Sequence, residues 1–141
     1  MRLHLVLKKE WYDKVLSGEK RQTIRKAGGK WENVKVGDKL TLYAGLRTKE
    51  CRKLGEAEVE SIEDIEIYSK VTEAFYSYKV LINGEEVEVD TPERDMTSEM
   101  ERLVFDDGFK DIEDFVTFFN LYYGDNFKGK IIKWKNFRKA E

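Results

Sequence analysis

Asn83-Gly84 stands between two runs in which apolar residues alternate with polar ones. Tyr76, Tyr78, Val80 and Ile82 occupy every second position before the pair, and Val87 and Val89 do so after it. Both turn residues tolerate positive φ, which a two-residue hairpin requires, so residues 75–90 are predicted to form an antiparallel hairpin. Its polar return strand predicts exposure. The same alternation recurs at Leu3, Leu5 and Leu7, at Leu40 and Leu42, and through Ala57, Val59 and Ser61. Ile131, Ile132, Trp134 and Phe137 mark a closing strand.

Helical spacing interrupts this pattern in three places. Trp11, Tyr12, Val15 and Leu16 form one stripe over residues 9–17, and Gly18 suits the left-handed position that ends a helix. Ser98-x-x-Glu101 has the form of a capping box before Leu103 and Val104. Asp111 is placed to cap a last helix carrying Ile112, Phe115, Phe119 and Tyr122 on its inner face, with Gly124 at its end. The predicted class is α+β: a small, partly closed β-barrel of five or six strands with two or three short helices.

The 141 residues suit one domain over 1–141, with 40% apolar and 13% aromatic side chains to fill its core. A single cysteine, Cys51, excludes an internal disulfide framework and points to a reducing cytoplasm. No second thiol or nearby histidine accompanies it, so neither a metal nor a cofactor is expected. No apolar run approaches the roughly 20 residues of a membrane span, and no secretory signal region is read at the N-terminus. Lysine- and glutamate-rich usage with few thermolabile residues resembles a thermophile's.

Charge balances, with 26 Lys plus Arg against 28 Asp plus Glu, which excludes a generally basic nucleic-acid coat. The signs are nevertheless segregated along the chain. Residues 20–30, 47–53 and 128–139 are basic, whereas 56–66, 85–95 and 106–114 are acidic. Convergence of the basic segments would create a local anion site. The stretch Gly18-Glu19-Lys20-Arg21-Gln22-Thr23-Ile24-Arg25-Lys26 is the densest of them, and its one isoleucine would anchor a cationic ledge to the core. Trp31, following Gly28-Gly29, either packs on the core edge or stacks on a planar ligand.

Gly18-Glu19-Lys20 followed by Thr23-Ile24-Arg25 resembles the signature loop of ASCH (activating signal cointegrator homology) domains, relatives of the PUA RNA-binding fold. The resemblance extends to the preceding helix, to Val36-Gly37-Asp38 before a strand, and to Asp107-Gly108-Phe109 before an aromatic helix ending in Tyr123-Gly124. The closing strand over 131–137 fits as well, and residues 68–95 look like an insertion outside the common core. The resemblance implies a PUA-like barrel with a cleft between barrel and helices that binds RNA or a modified nucleoside. Some small bacterial ASCH proteins are amidohydrolases that remove the acetyl group of N4-acetylcytidine, with a lysine and a threonine of this loop and a glutamate near the later helix. Others are reported as ribonucleases.

Carried onto this chain, the resemblance assigns Lys20 as base and Thr23 as hydroxyl. The carboxylate position falls nearest Asp107, with Asp106 and Glu101 as alternatives, and Asp107-Gly108 equally suits a plain turn. A lysine base requires a pKa lowered by burial or by neighbouring cations such as Arg21 and Arg25. In a regular strand Lys20 and Thr23 would face opposite sides, so their cooperation needs a loop or bulge. Arg25 can hold a phosphate or carboxylate through its planar fork, and Arg47, in a basic loop with Lys49, Arg52 and Lys53, is a candidate backbone contact. Three functions follow: an RNA- or nucleoside-binding domain, an amidohydrolase, and a protein-interaction module using the Asn83-Gly84 hairpin.

Overall fold

A computed structural model describes residues 2–45, 49, 51–90 and 97–140. Arg47 lies outside the described residues. The strands are β1 (Arg2–Leu7), β2 (Gln22–Lys26), β3 (Lys39–Ala44), β4 (Arg52–Val71), β5 (Tyr76–Ile82), β6 (Glu85–Glu86) and β7 (Asn126–Lys139). The helices are α1 (Tyr12–Ser17), α2 (Glu99–Asp106) and α3 (Ile112–Tyr123), with short 3-10 turns at Lys9–Trp11 and Gly29–Trp31. The class is α+β as expected, but among the described residues the strands number seven and form one sheet that does not close into a barrel. The extra strand is β6, a two-residue return, and β4 runs as far as Val71, into the segment expected as an insertion.

Two long strands form the spine. β4 pairs antiparallel with β7 from Gly55 to Tyr68, while its other edge takes β3 near its start and β5 near its end. β7 also carries β2 antiparallel, and β1 adds to β3 in parallel. Register shifts in the β4–β7 ladder, at Glu56/Glu58 and Val59/Ser61, resolve the irregular apolar pattern near Ile62. The sheet consequently has two buried faces. One core gathers Leu5, Leu40, Leu42, Val59, Ile132 and Trp134; the other gathers Ile24, Ile65, Ile67, Ile131 and the inner faces of α2 and α3.

The local signals act as their chemistry requires. Gly18 ends α1 at φ 85°. Ser98 and Glu101 form a reciprocal capping box on α2, and the Asp111 side chain accepts from Asp114 N–H at the start of α3. Asn83 (φ 52°) and Gly84 (φ 83°) make the hairpin turn. Tyr122, expected inside, is 56% exposed, because Phe115, Val116 and Phe119 already fill the buried stripe of α3.

The segregated charges meet differently from the convergence expected. The acidic run of β4 lies beside the basic run of β7, with Glu66 opposite Lys128, Asp64 opposite Lys130 and Glu58 opposite Lys135. Lys128–Glu66 (3.6 Å) and Lys133–Glu63 (3.4 Å) are ion pairs. Antiparallel pairing thus neutralises Lys128 and Lys133 across the strands, whereas Lys130 Nζ donates to Trp31 O and Glu32 O.

Candidate functional site

The link between α1 and β2 carries Lys20 and is held on three sides. Lys20 N–H donates to Lys14 O (3.0 Å), Arg21 N–H to Asp106 O (3.2 Å), and Trp134 N–H to Arg21 O (3.1 Å). These bonds tie it to α1, to the end of α2 and to β7. Lys20 is thereby drawn inward and is only 3% exposed, not part of an open ledge. Its Nζ donates to Asp107 O at 2.6 Å and lies 3.6 Å from Asp107 Oδ2. Trp11 covers the same ammonium, with its ring centroid 4.7 Å away.

Asp107 follows the last turn of α2 and is likewise buried. Gln22 Nε2 donates to its Oδ1 (3.2 Å) and reaches Leu103 O (3.5 Å). Gly108 then turns the chain at φ 96°, where an added Cβ would lie 3.0 Å from Trp11 and 3.4 Å from the Lys20 stem. Lys14 Nζ donates to Gly108 O. Phe109 packs edge-on against Trp11 and Phe115, with centroids 5.1 and 5.4 Å apart. The Asp-Gly pair is thus a turn and a carboxylate partner for Lys20 at once.

Thr23 and Arg25 face the other side of β2, as strand alternation requires. Thr23 is 4% exposed, and its Oγ1 accepts from Arg25 Nε at 3.1 Å. The Thr23 O–H has no acceptor of its own among the described residues. Arg25 continues to Val6 O on β1 (2.6 Å), and Lys30 Nζ caps His4 O (2.5 Å). Two cationic side chains thus cover carbonyls of β1, which among the described residues pairs only with β3. No direct contact joins Lys20 to Thr23 among the described residues. The two pairs are coupled through charge, since Arg25 acts on both Lys20 and Asp107.

Burial dominates the electrostatics. It lowers the Lys20 pKa from its ordinary value, Asp107 opposes that shift, and Arg25 and Lys14 add to it. Burial also raises the Asp107 pKa, against the opposing effects of Lys20, Gln22 and Arg25. Both groups are pushed toward their neutral forms. Burial lowers the Arg25 pKa too, opposed by Tyr123 and Asp107.

The remaining sequence candidates fall elsewhere. Arg21 points to solvent and pairs with Asp106 at 3.7 Å, so its charge lies outside the buried group. Trp31 is 7% exposed in the first core, so its ring packs rather than stacks on a ligand, with Arg25 and Lys30 near its face. Asp106 and Glu101, the alternative carboxylates, serve Arg21 and the Ser98 cap respectively. Sequence inspection passed over Gln22, which a polar residue at a core-facing strand position could have signalled. Among the described residues, no three His, Cys, Asp or Glu side chains gather as a metal set, and no helix is long and apolar enough to cross a membrane.

No family model, no curated protein and no solved structure matches the chain.

Proposed function

We propose that the chain is an ASCH-type domain that takes a modified nucleoside against Lys20, Thr23, Arg25 and Asp107 and hydrolyses its exocyclic amide, with N4-acetylcytidine as the type substrate. One observation carries this reading: Lys20 and Asp107, 87 positions apart, are buried in direct contact. A buried ion pair is a poor stabilising device, because desolvation offsets the Coulombic gain. A shifted lysine–carboxylate pair is, in contrast, suited to proton transfer. The PUA-like reading of the sheet is supported by the cationic side chains that bridge β2 and the 3-10 turn to the β1 edge.

In this mechanism neutral Lys20 takes a proton from water. The freed oxygen adds to the acetyl carbon. Thr23, whose Oγ1 accepts from Arg25 Nε, keeps its O–H to orient the acetyl oxygen. Collapse breaks the C–N4 bond as Lys20 returns the proton to N4, which leaves cytidine and acetic acid.

Purified protein is expected to convert N4-acetylcytidine to cytidine, with chromatographic loss of the acetylated nucleoside as the measurement. Thr23→Val should lower kcat by about a hundredfold, the scale of losing one positioned hydrogen-bond donor, while Thr23→Ser keeps most of it. Because burial lowers the Lys20 pKa, the rate should rise with pH through a value below the ordinary lysine figure of 10.5. Wild-type protein without turnover overturns the hydrolase reading.

A second reading, RNA binding, has its own support in exposed cation–aromatic pairs. Lys8 Nζ lies 4.0 Å from the Tyr122 ring centroid, and Arg52 lies 5.3 Å from that of Tyr12. Such pairs offer both a phosphate contact and a base-stacking face. Labelled single-stranded RNA should then bind at low salt and weaken steeply as salt rises, less so in Lys8→Ala and Arg52→Ala. Salt-independent affinity, or none, removes this reading.

A further inference from the structure

On the far side of β2 from Thr23 lies a cleft of about 730 Å³ between the β5–β6 hairpin, α2 and the β2–β7 ladder. Among the described residues its rim carries Glu63, Glu85, Glu86, Glu88, Glu99 and Asp106 against Arg102 and Lys133. Lys133 is committed to Glu63, and Asp106 to Arg21, which leaves Glu85, Glu86, Glu88 and Glu99 without a cationic partner among the described residues. Aliphatic side chains, among them Ile82, Leu103 and Ile131, supply an apolar floor.

Gln22 forms part of the wall. It is 1% exposed, and its Nε2 is used by Asp107 and Leu103 O. Its Oε1 is a buried acceptor with no partner among the described residues. An unpaired buried carbonyl of this kind costs on the order of 1–3 kcal/mol, which a donor reaching it from the cleft would recover.

We infer that this cleft binds a linear aliphatic polyamine, with one ammonium donating to Gln22 Oε1, the methylenes on the apolar floor and the remaining ammonium groups among the rim glutamates. The net negative charge of the described rim disfavours an anion. A metal ion requires several oxygen ligands at one point, whereas these carboxylates are spread along the rim and no three gather as a set among the described residues. Separated ammonium groups joined by methylenes match separated carboxylates over an apolar floor. The site uses neither Lys20 nor Thr23 and touches the hydrolase reading only through Gln22, which also holds Asp107.

Calorimetric titration of the full chain with spermidine should show saturable one-to-one binding that weakens as salt rises. Gln22→Leu should weaken it about fivefold, the worth of one hydrogen bond. The rim variant Glu88→Gln with Glu99→Gln, on exposed positions that leave the core intact, should weaken it about tenfold. Thr23→Val should bind as wild type does. No saturable binding at millimolar spermidine overturns the site, and so does an affinity unchanged in the rim variant. Magnesium binding as tightly as spermidine would show diffuse charge attraction in place of an extended-cation site.

Discussion

Lys20→Met is expected to abolish amide hydrolysis and to destabilise the fold by about 3–5 kcal/mol, the usual result of removing one partner of a buried pair. The variant leaves Asp107 buried with Gln22 Nε2 as its only side-chain donor among the described residues. Asp107 then takes up a proton more readily, which offsets part of the loss. Combining Lys20→Met with Asp107→Leu should restore most of the stability, since an apolar pair of similar volume has no charge to desolvate. Turnover should stay absent in the double variant. Denaturant unfolding and the nucleoside assay, run on the same preparations, separate the two effects. Full activity in a folded Lys20→Met protein would exclude Lys20 as the base.

The same pair makes stability depend on pH in a definite direction. Asp107 has a folded pKa above its unfolded one, so its contribution is fully present below the unfolded value and is lost as pH rises through the folded value. Lys20 has a folded pKa below its unfolded one, so its contribution is lost as pH falls through the folded value and recovers toward 10.5. The stability difference between wild type and the apolar double variant should therefore vary with pH at both ends of the range, and disappearance of that variation would show the pair to be hydrated.

Phe115→Ala is expected to cost about 3–5 kcal/mol, the range for emptying a large aromatic site in a core. Phe115 is fully buried and lies 4.8 Å from Phe119 and 5.4 Å from Phe109, centroid to centroid. Phe109 in turn packs on Trp11, which covers the Lys20 ammonium. Loss of Phe115 should thus loosen the Asp107-Gly108 turn as well as the core. Thermal unfolding measures the first effect, and a reduced kcat with the protein still folded measures the second. Phe115→Leu, which keeps most of the volume, should recover both. A variant that loses stability but keeps kcat would uncouple the aromatic chain from the site.

What the sequence determined by itself is local. Ser98 and Glu101 cap α2, Asp111 caps α3, Gly18 closes α1 and Asn83-Gly84 turns the hairpin, because each motif satisfies backbone groups within a few residues of itself. The alternating leucines of β1 and β3 likewise predict their buried faces, since strand direction alone sets them. The Lys20 loop was legible as a place of interest, and Asp107 as a nearby candidate.

Tertiary structure alone decided what those residues became. Pairing β4 with β7 sent the two most segregated charge runs against each other, which no reading of either run could foresee. Docking the end of α2 on the α1–β2 link buried Lys20 with Asp107 and turned a surface-like charge into a desolvated one. The two faces of β2 then parted Gln22 from Thr23, giving one to the α2 side and the other to Arg25. Burial and long-range pairing set these outcomes, because the cost of desolvating a charge depends on which distant segment covers it.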